Sequence, residues 1–424
     1  MAVLRVLKRK AKRIYPAAVE GKFFHRIGVA WKQMAASVDR SIGYQNRKIL
    51  SRNTPVNPDQ IMFITFNHSY SCNPKYICEE LIRRNAKVQI YWGVTNLISR
   101  GEVPERDNIH IVRMNSYEYF EAACSSKVIV INSLLGDKFY PFPTKPEQIV
   151  YETWHGSLGI KRFDPAHYNT NVTWPEAAAR TGRLTTYCIT NSKFEEDVFR
   201  ETFWKETPLL RLGHARNDVF FDTYRDRAAA WRREFLKDYA LEESTRFVLY
   251  APTFRDTHNF AVYDLQADRL LRAMKKRFGG EWKLLIRYHD NDKKGEKTKN
   301  TVRSADVIDV TDYADIQELL SFVDAGITDY SSWIYDFVNA RRPGFIYARD
   351  IDLYNNERGF YFKLESTPFP VARNNDEMEQ NILSFDEAAF VKKCDAFLAG
   401  KQSVDDGHSS ERICDEILGR MGVQ

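Results

Sequence analysis

From about residue 60 the chain alternates short apolar runs with stretches of helical period. The runs Gln60 to Phe66, Lys87 to Val94, Ile109 to Met114, Lys127 to Asn132, Gln148 to Trp154, Thr185 to Thr190 and Leu209 to Gly213 are rich in β-branched and aromatic residues. Helical patterns such as Pro74 to Arg84 and Lys193 to Phe203 lie between several of them. Near-continuous apolar strands separated by helices predict a parallel sheet covered on both faces. A charged helical stretch, Thr223 to Tyr239, reads as a connector, and the alternation then restarts. Arg246 to Phe254, Lys283 to Tyr288, Val307 to Thr311, Ala325 to Asp329 and Gly344 to Ala348 predict a second α/β unit. The expected architecture is two doubly wound Rossmann-type domains facing a central cleft, with ligands beyond the carboxyl ends of the strands. The expected boundaries are 51–222 for the first domain, 223–242 for the connector, 243–390 for the second domain and 391–424 for C-terminal helices.

The first fifty residues differ from this pattern. Val3, Leu4, Leu7, Ala11 and Ile14 follow helical spacing, with Lys8, Arg9, Lys10, Lys12 and Arg13 on the remaining surface. Pro16 ends that pattern, and Phe23, Phe24, Ile27, Trp31, Met34 and Val38 begin another. Residues 1–50 therefore read as basic amphipathic helices of the kind that lie in an anionic leaflet; helices capping the protein's own core are the plainer reading.

Over all 424 residues, 62 basic side chains face 57 acidic ones, a net charge of +5 that does not point to nucleic acid. The excess sits in the N-terminal segment, which strengthens the membrane-surface reading. No run approaches the roughly 18 apolar residues of a spanning helix, so a soluble or peripheral protein is expected. Cys72, Cys78, Cys124, Cys188, Cys394 and Cys414 form no C-x-x-C pair and read as reduced thiols of a cytoplasmic compartment. Neither a P-loop nor a G-x-G-x-x-G pattern occurs.

Candidate chemistry gathers at strand ends. Thr153-Trp154-His155-Gly156-Ser157 ends a β-forming run in a His followed by Gly, which places a candidate general base at the cleft. Taken alone, a strand-end His is more often structural. Ala251-Pro252-Thr253-Phe254-Arg255 puts a hydroxyl and a guanidinium past the next domain's first strand, where the planar fork of Arg255 suits phosphate oxygens; a surface Arg is the alternative. Arg287-Tyr288-His289 delivers a second His to that edge. Thr328-Asp329-Tyr330-Ser331-Ser332 runs into the apolar Trp333, Ile334, Phe337 and Val338, and a strand leading through hydroxyls to a helix start is a phosphate cradle, or simply an N-cap. The loop from Tyr347 to Phe362, with Asp350, Asp352, Tyr354, Arg358 and Gly359, is rich in binding side chains. No motif demands a cofactor. A divalent cation is left open, Asp290-Asn291-Asp292 being its nearest candidate without a clear ligand pattern.

In this order, W-H-G at 154, A-P-T-F-R at 251, R-Y-H at 287, T-D-Y-S-S-W-I-Y-D-F at 328 and the Asp350 to Phe362 segment resemble the CDP-glycerol glycerophosphotransferase family of teichoic-acid and capsule enzymes. The resemblance runs from about Gln60, through Asn67-His68 and Asn73-Pro74-Lys75, to about Ile382. It implies a GT-B-like fold and transfer of glycerol or ribitol phosphate from a CDP-polyol to a lipid-linked or growing surface polymer, with release of CMP, at the cytoplasmic face of the bacterial plasma membrane. It also implies that His155 is the base and that His289 contacts the donor phosphates. Thr253, Arg255, Ser331 and Ser332 are then expected at the diphosphate, and Asp329, Asp336 and Arg358 elsewhere on the donor side. Asn67, His68, Trp154, Gly156, Ser157 and Lys161 are expected on the acceptor side. The chain departs from the family's pattern at Ser157 to Lys161, at Asp290 and at Ser366 to Pro370. A GT-B glycosyltransferase using a sugar nucleotide, and a non-catalytic scaffold of a surface-polymer complex, remain the alternatives.

Overall fold

The computed structural model describes residues 45–65, 69–95, 103–133, 144–156, 181–202, 204–253, 264–288, 305–352 and 359–423, together with Gly43, Gly159, Arg162, Ala179 and Tyr354. The expected amphipathic helices before residue 43 lie outside the described residues, and so do Asn67, His68, Ser157, Lys161, Arg255, His289, Asp290 to Asp292 and Arg358.

Seven strands form the first sheet: β1 (Asn57–Ile64), β2 (Gln89–Val94), β3 (Ile109–Arg113), β4 (Ser126–Ile131), β5 (Ile149–Glu152), β6 (Tyr187–Thr190) and β7 (Leu209–Arg211). All pairs are parallel and the spatial order is 3-2-1-4-5-6-7. The helices α1 (Cys72–Arg83), α2 (Tyr117–Ser125) and α3 (Lys193–Glu201) belong to this half. β1 shows why the sheet is covered twice. Its apolar run is buried, and the period of two sends Ile61 and Phe63 into one core and Met62 and Ile64 into the other.

After α4 (Arg225–Asp238) come β8 (Arg246–Tyr250), α5 (Ala267–Phe278), β9 (Trp282–Ile286), β10 (Val307–Asp309), α6 (Ile316–Phe322), β11 (Ala325–Thr328), α7 (Trp333–Phe337), β12 (Gly344–Tyr347) and β13 (Val371–Ala372). The second sheet is also parallel throughout, in the order 10-9-8-11-12-13. Counted from its own first strand this is 3-2-1-4-5-6, so each sheet reverses direction beside its first strand and opens a crevice there. Two doubly wound sheets of this kind give the GT-B-like fold expected from the sequence. Short β13 and helices α2 and α5 were not anticipated.

Helices α8 (Asn375–Leu383) and α9 (Glu387–Lys401) follow β13, and α10 (Ser409–Met421) returns to the first half. There Ile413, Cys414, Ile417 and Leu418 join the core containing Ile61 and Phe63. The buried Asp218 carboxylate anchors the return by accepting from the Ser409 amide (2.9 Å), the Ser410 amide (2.7 Å) and the Ser410 hydroxyl (2.5 Å). Among the described residues no helix is long and apolar enough to cross a membrane. All six cysteines are unpaired thiols.

Because the Asp218 carboxylate satisfies three buried donors, Asp218→Ala is expected to destabilise the protein by about 3 kcal/mol in urea unfolding. A loss below about 0.5 kcal/mol would show that α10 docks through its apolar face alone.

Candidate functional site

At the first sheet's carboxyl edge the ladder runs one residue past β5, the Thr153 amide donating to Ile131 O at 2.8 Å. The chain then turns sharply at Trp154, whose φ of 53° is left-handed, an uncommon conformation for a bulky residue. Two buried groups hold the turn. The Glu152 carboxyl Oε1 accepts from the Trp154 amide (2.7 Å), and the Asn73 amide group donates to Thr153 O (2.9 Å) and Trp154 O (3.2 Å). The turn sends the Trp154 ring inward, 5.4 Å from the Trp204 ring and 6.2 Å from that of Phe199. Trp154 was expected to face the acceptor; in the structure its ring is a buried wedge that sets the turn.

The same turn sends His155 outward, half-buried, with Nδ1 2.6 Å from Asn132 O. A carbonyl oxygen only accepts, so Nδ1 carries the proton and Nε2 of the neutral ring carries the lone pair. Gly156 follows, where a Cβ would lie 3.3 Å from the Ser332 hydroxyl and 3.4 Å from the Trp154 indole nitrogen. The His-bearing turn of the first sheet therefore abuts the hydroxyl-bearing turn of the second.

At the second sheet's edge, Ala251 O accepts from the Thr328 hydroxyl (2.7 Å) and the Trp333 indole (2.9 Å), tying the ends of β8 and β11 together. Asp329 adds to the tie by accepting from the Thr253 and Tyr330 amides at 2.8 and 2.5 Å. Ser331 and Ser332 are half-buried at the start of α7, and the Ser332 hydroxyl makes no cap hydrogen bond to the helix. The helix continues through a 3-10 turn over Val338–Ala340. Tyr330 donates to Asp350 (2.8 Å) and stacks on Tyr354 with ring centroids 4.0 Å apart, which folds part of the Tyr347 to Phe362 segment over this edge. From the other half, the Arg162 amide and Nε both donate, at 3.2 Å, to Gly359 O and Phe360 O. Arg287 hydrogen bonds to Val310 O and Tyr313 O, and the Tyr288 amide to the Thr311 hydroxyl, so the chain leading to His289 is anchored.

Two expected donor-side carboxylates have other work. Asp329 is buried and binds backbone amides. Asp336 is buried on α7 and pairs with Arg216 of the first half, Nη2 to Oδ2 at 2.7 Å. Arg216 also donates from Nη1 to His155 O (2.6 Å) and to Cys72 Sγ (3.4 Å). Burial works against its charge, but Asp336 and then Cys72 hold its pKa above the ordinary arginine value. Gln317 bridges Asn217 Oδ1 (3.2 Å) and Asp336 Oδ2 (3.4 Å). Nearby, buried Lys75 pairs with Asp315 (3.3 Å) and Glu318 of α6, and the Tyr76 hydroxyl donates to Asp315 at 3.0 Å. Arg216 and Asn217 were not among the residues expected at the site. Their signal was the polar run Gly213 to Asp218 directly after a strand, where a solvated loop and a buried polar junction look alike.

Among the described residues no group of three or more His, Cys, Asp or Glu side chains is placed to hold a metal ion. The half-buried Ser331 and Ser332 at the start of α7 put hydroxyl groups, which can donate to an anion, at this edge.

Burial pushes the fully buried Glu152 carboxyl up to about 8, outweighing the Trp154 and Thr153 amides that pull it down. A carboxyl whose folded pKa is raised holds its proton in the native state over a window where the unfolded chain, near 4.5, has lost it. Relative to Glu152→Gln, which keeps an acceptor for Trp154 and never ionises, the wild type is predicted to lose stability as pH rises from about 4.5 to about 8. Urea midpoints measured in parallel across that range check this, and a constant difference between the two proteins would contradict it.

The profile of the CDP-glycerol:poly(glycerophosphate) glycerophosphotransferase family matches residues 47–419. A teichoic acid glycerol-phosphate transferase of Staphylococcus aureus is 27% identical over 394 residues, which are 90% of this chain and 97% of that protein. A teichoic acid poly(glycerol phosphate) polymerase of Staphylococcus epidermidis is 29% identical over 85% of this chain, and the chain spans about half (51%) of that relative's length. The solved structure of the wall teichoic acid polymerase TagF superposes with a TM-score of 0.75 at 27% identity, covering 92% of this chain and 97% of that one; a variant of the polymerase has also been solved after soaking with CDPG. The match spans both sheets and every motif at the cleft: the chain belongs to the CDP-glycerol:poly(glycerophosphate) glycerophosphotransferase family.

Proposed function

We propose that this protein transfers a polyol phosphate from a CDP-polyol to a hydroxyl of a growing, lipid-linked envelope polymer and releases CMP. One observation carries the reading beyond family membership: the His155 turn of one sheet lies against Ser332, at the helix start of the other. A base and a phosphate-binding turn meet where neither half could supply both.

On this reading the acceptor hydroxyl attacks the polyol-linked phosphorus. The new O–P bond forms as the bond from that phosphorus to the CMP phosphate oxygen breaks, and His155 Nε2 takes the hydroxyl proton. Nδ1–H stays on Asn132 O throughout, which holds the ring in the tautomer that accepts at Nε2. CMP leaves as a stabilised anion, so charge neutralisation and alignment supply most of the acceleration. Ser331 and Ser332 are assigned to the diphosphate with Thr253, Arg255 and His289, and Arg358 to the donor side. Gly156, Ser157, Lys161, Asn67 and His68 are assigned to the acceptor. The domain with β1 to β7 then serves the acceptor and the domain with β8 to β13 the donor. The basic residues of the N-terminal segment support docking on the anionic cytoplasmic face of the membrane, where a lipid-linked acceptor would be presented.

The test is CMP release from CDP-glycerol and, separately, CDP-ribitol, each with and without a lipid-linked polyol-phosphate acceptor. Acceptor-dependent release from one of them is expected. UDP release from a UDP-sugar control would favour the glycosyltransferase instead, and silence with every donor would favour the scaffold. With the active donor, His155→Ala should lose about a hundredfold or more in turnover. Ser331→Ala and Ser332→Ala should each raise the donor KM about tenfold, as expected for losing a hydrogen bond to a charged group. An unchanged His155→Ala turnover would remove the base assignment.

A further inference from the structure

We propose that Arg216 is a positioning residue that sets the distance between the base and the donor phosphate, an inference that rests on the transfer reading of this cleft. Arg216 is 6% exposed, and its guanidinium holds one part from each half. Nη1 donates to the carbonyl of His155, the residue whose ring is the base. Nη2 pairs with Asp336, four residues after Ser332 and so about one helical turn below the phosphate-binding start of α7.

The turn that carries Arg216 is tied down by its neighbours. It sits in a 3-10 turn, Ala215–Phe220, and its own amide donates to Asn73 Oδ1 at 3.1 Å. Asn73 is the residue that also grips the Trp154 turn. The amide of His214 and the side chain of Asn217 both donate to the Asp405 carboxylate, at 2.8 and 2.7 Å. A displacement of Arg216 therefore cannot be absorbed nearby and passes to His155 and α7 together.

Lysine cannot replace this. A single ammonium on a flexible stem can keep the charge beside Asp336, but it lacks the planar fork that reaches the His155 carbonyl at the same time. A misplacement of about 1 Å between reacting groups costs on the order of a hundredfold in rate, while donor binding, made by other residues, stays as it was.

The experiment compares wild type, Arg216→Lys, Asp336→Asn and the double variant in the CMP-release assay, with a thermal melt of each. Arg216→Lys is expected to lose about a hundredfold in kcat with the donor KM within about threefold of wild type. Asp336→Asn should lose less, and the double variant should fall no further than Arg216→Lys, because the pair acts as one unit. Millimolar guanidinium should restore part of the kcat of Arg216→Ala. A wild-type rate in Arg216→Lys, a loss confined to donor KM, or additive losses in the double variant would overturn the inference while leaving the transfer reading intact. If Arg216→Lys does not fold, Asp336→Asn decides by the same split between kcat and KM. Silence of the wild type with every CDP-polyol removes the transfer reading, and this inference with it.

Discussion

The arrangement of this protein depends on a buried ion pair between its halves. Arg216 of the first half meets Asp336 of the second at 2.7 Å, with 6% and 1% of the two residues exposed. Such a pair adds little net stability, because taking two charges out of water costs about as much as their attraction returns. Its force is as a constraint. Removing one partner strands the other charge and costs about 3–5 kcal/mol, so the halves are held in a relation that keeps the two charges paired. Lys75 with Asp315 and Glu318 repeats the arrangement beside it, and α10 threads back to the first half through Asp218.

Given that constraint, the rest of the cleft follows from two doubly wound sheets. Each opens a crevice where its strand order reverses, and the strand-end turns of Ala251 to Thr253 and Asp329 to Ser332 flank the second of these openings. A strained turn at Trp154 delivers His155 from the first sheet to meet them. The chemistry proposed for the cleft asks for alignment and compensated charge more than for a strong acid or base, and rigid, buried polar junctions supply alignment.

Much of the fold was legible because parallel strands are buried on both faces and so appear as apolar runs; β1 to β12 were all located in this way. The two-residue β13 carries too short a run to register. The placement of His155, Ser331 and Ser332 at strand ends that face each other was legible in part: His-Gly after a strand and Ser-Ser before an apolar helix mark those ends locally, but not that they meet. What could not be read was partnership across long separations. Asp336 and Asp329 looked like ligand-facing acids, and only the folded chain shows Arg216 and the Thr253 amide in front of them. Trp154 was expected on the acceptor side, and its inward turn depends on a left-handed backbone that Asn73, far away in sequence, holds by donating to Thr153 O and Trp154 O.

The central claim is that one bound donor is shared by the two halves, its diphosphate on the second and its reacting phosphorus facing the first. A crystal structure of the protein with an intact CDP-polyol tests this most directly. The account predicts the diphosphate at Ser331 and Ser332, with the polyol-linked phosphorus turned toward His155 Nε2. A diphosphate seated against the first sheet, or a polyol pointing away from His155, would contradict it.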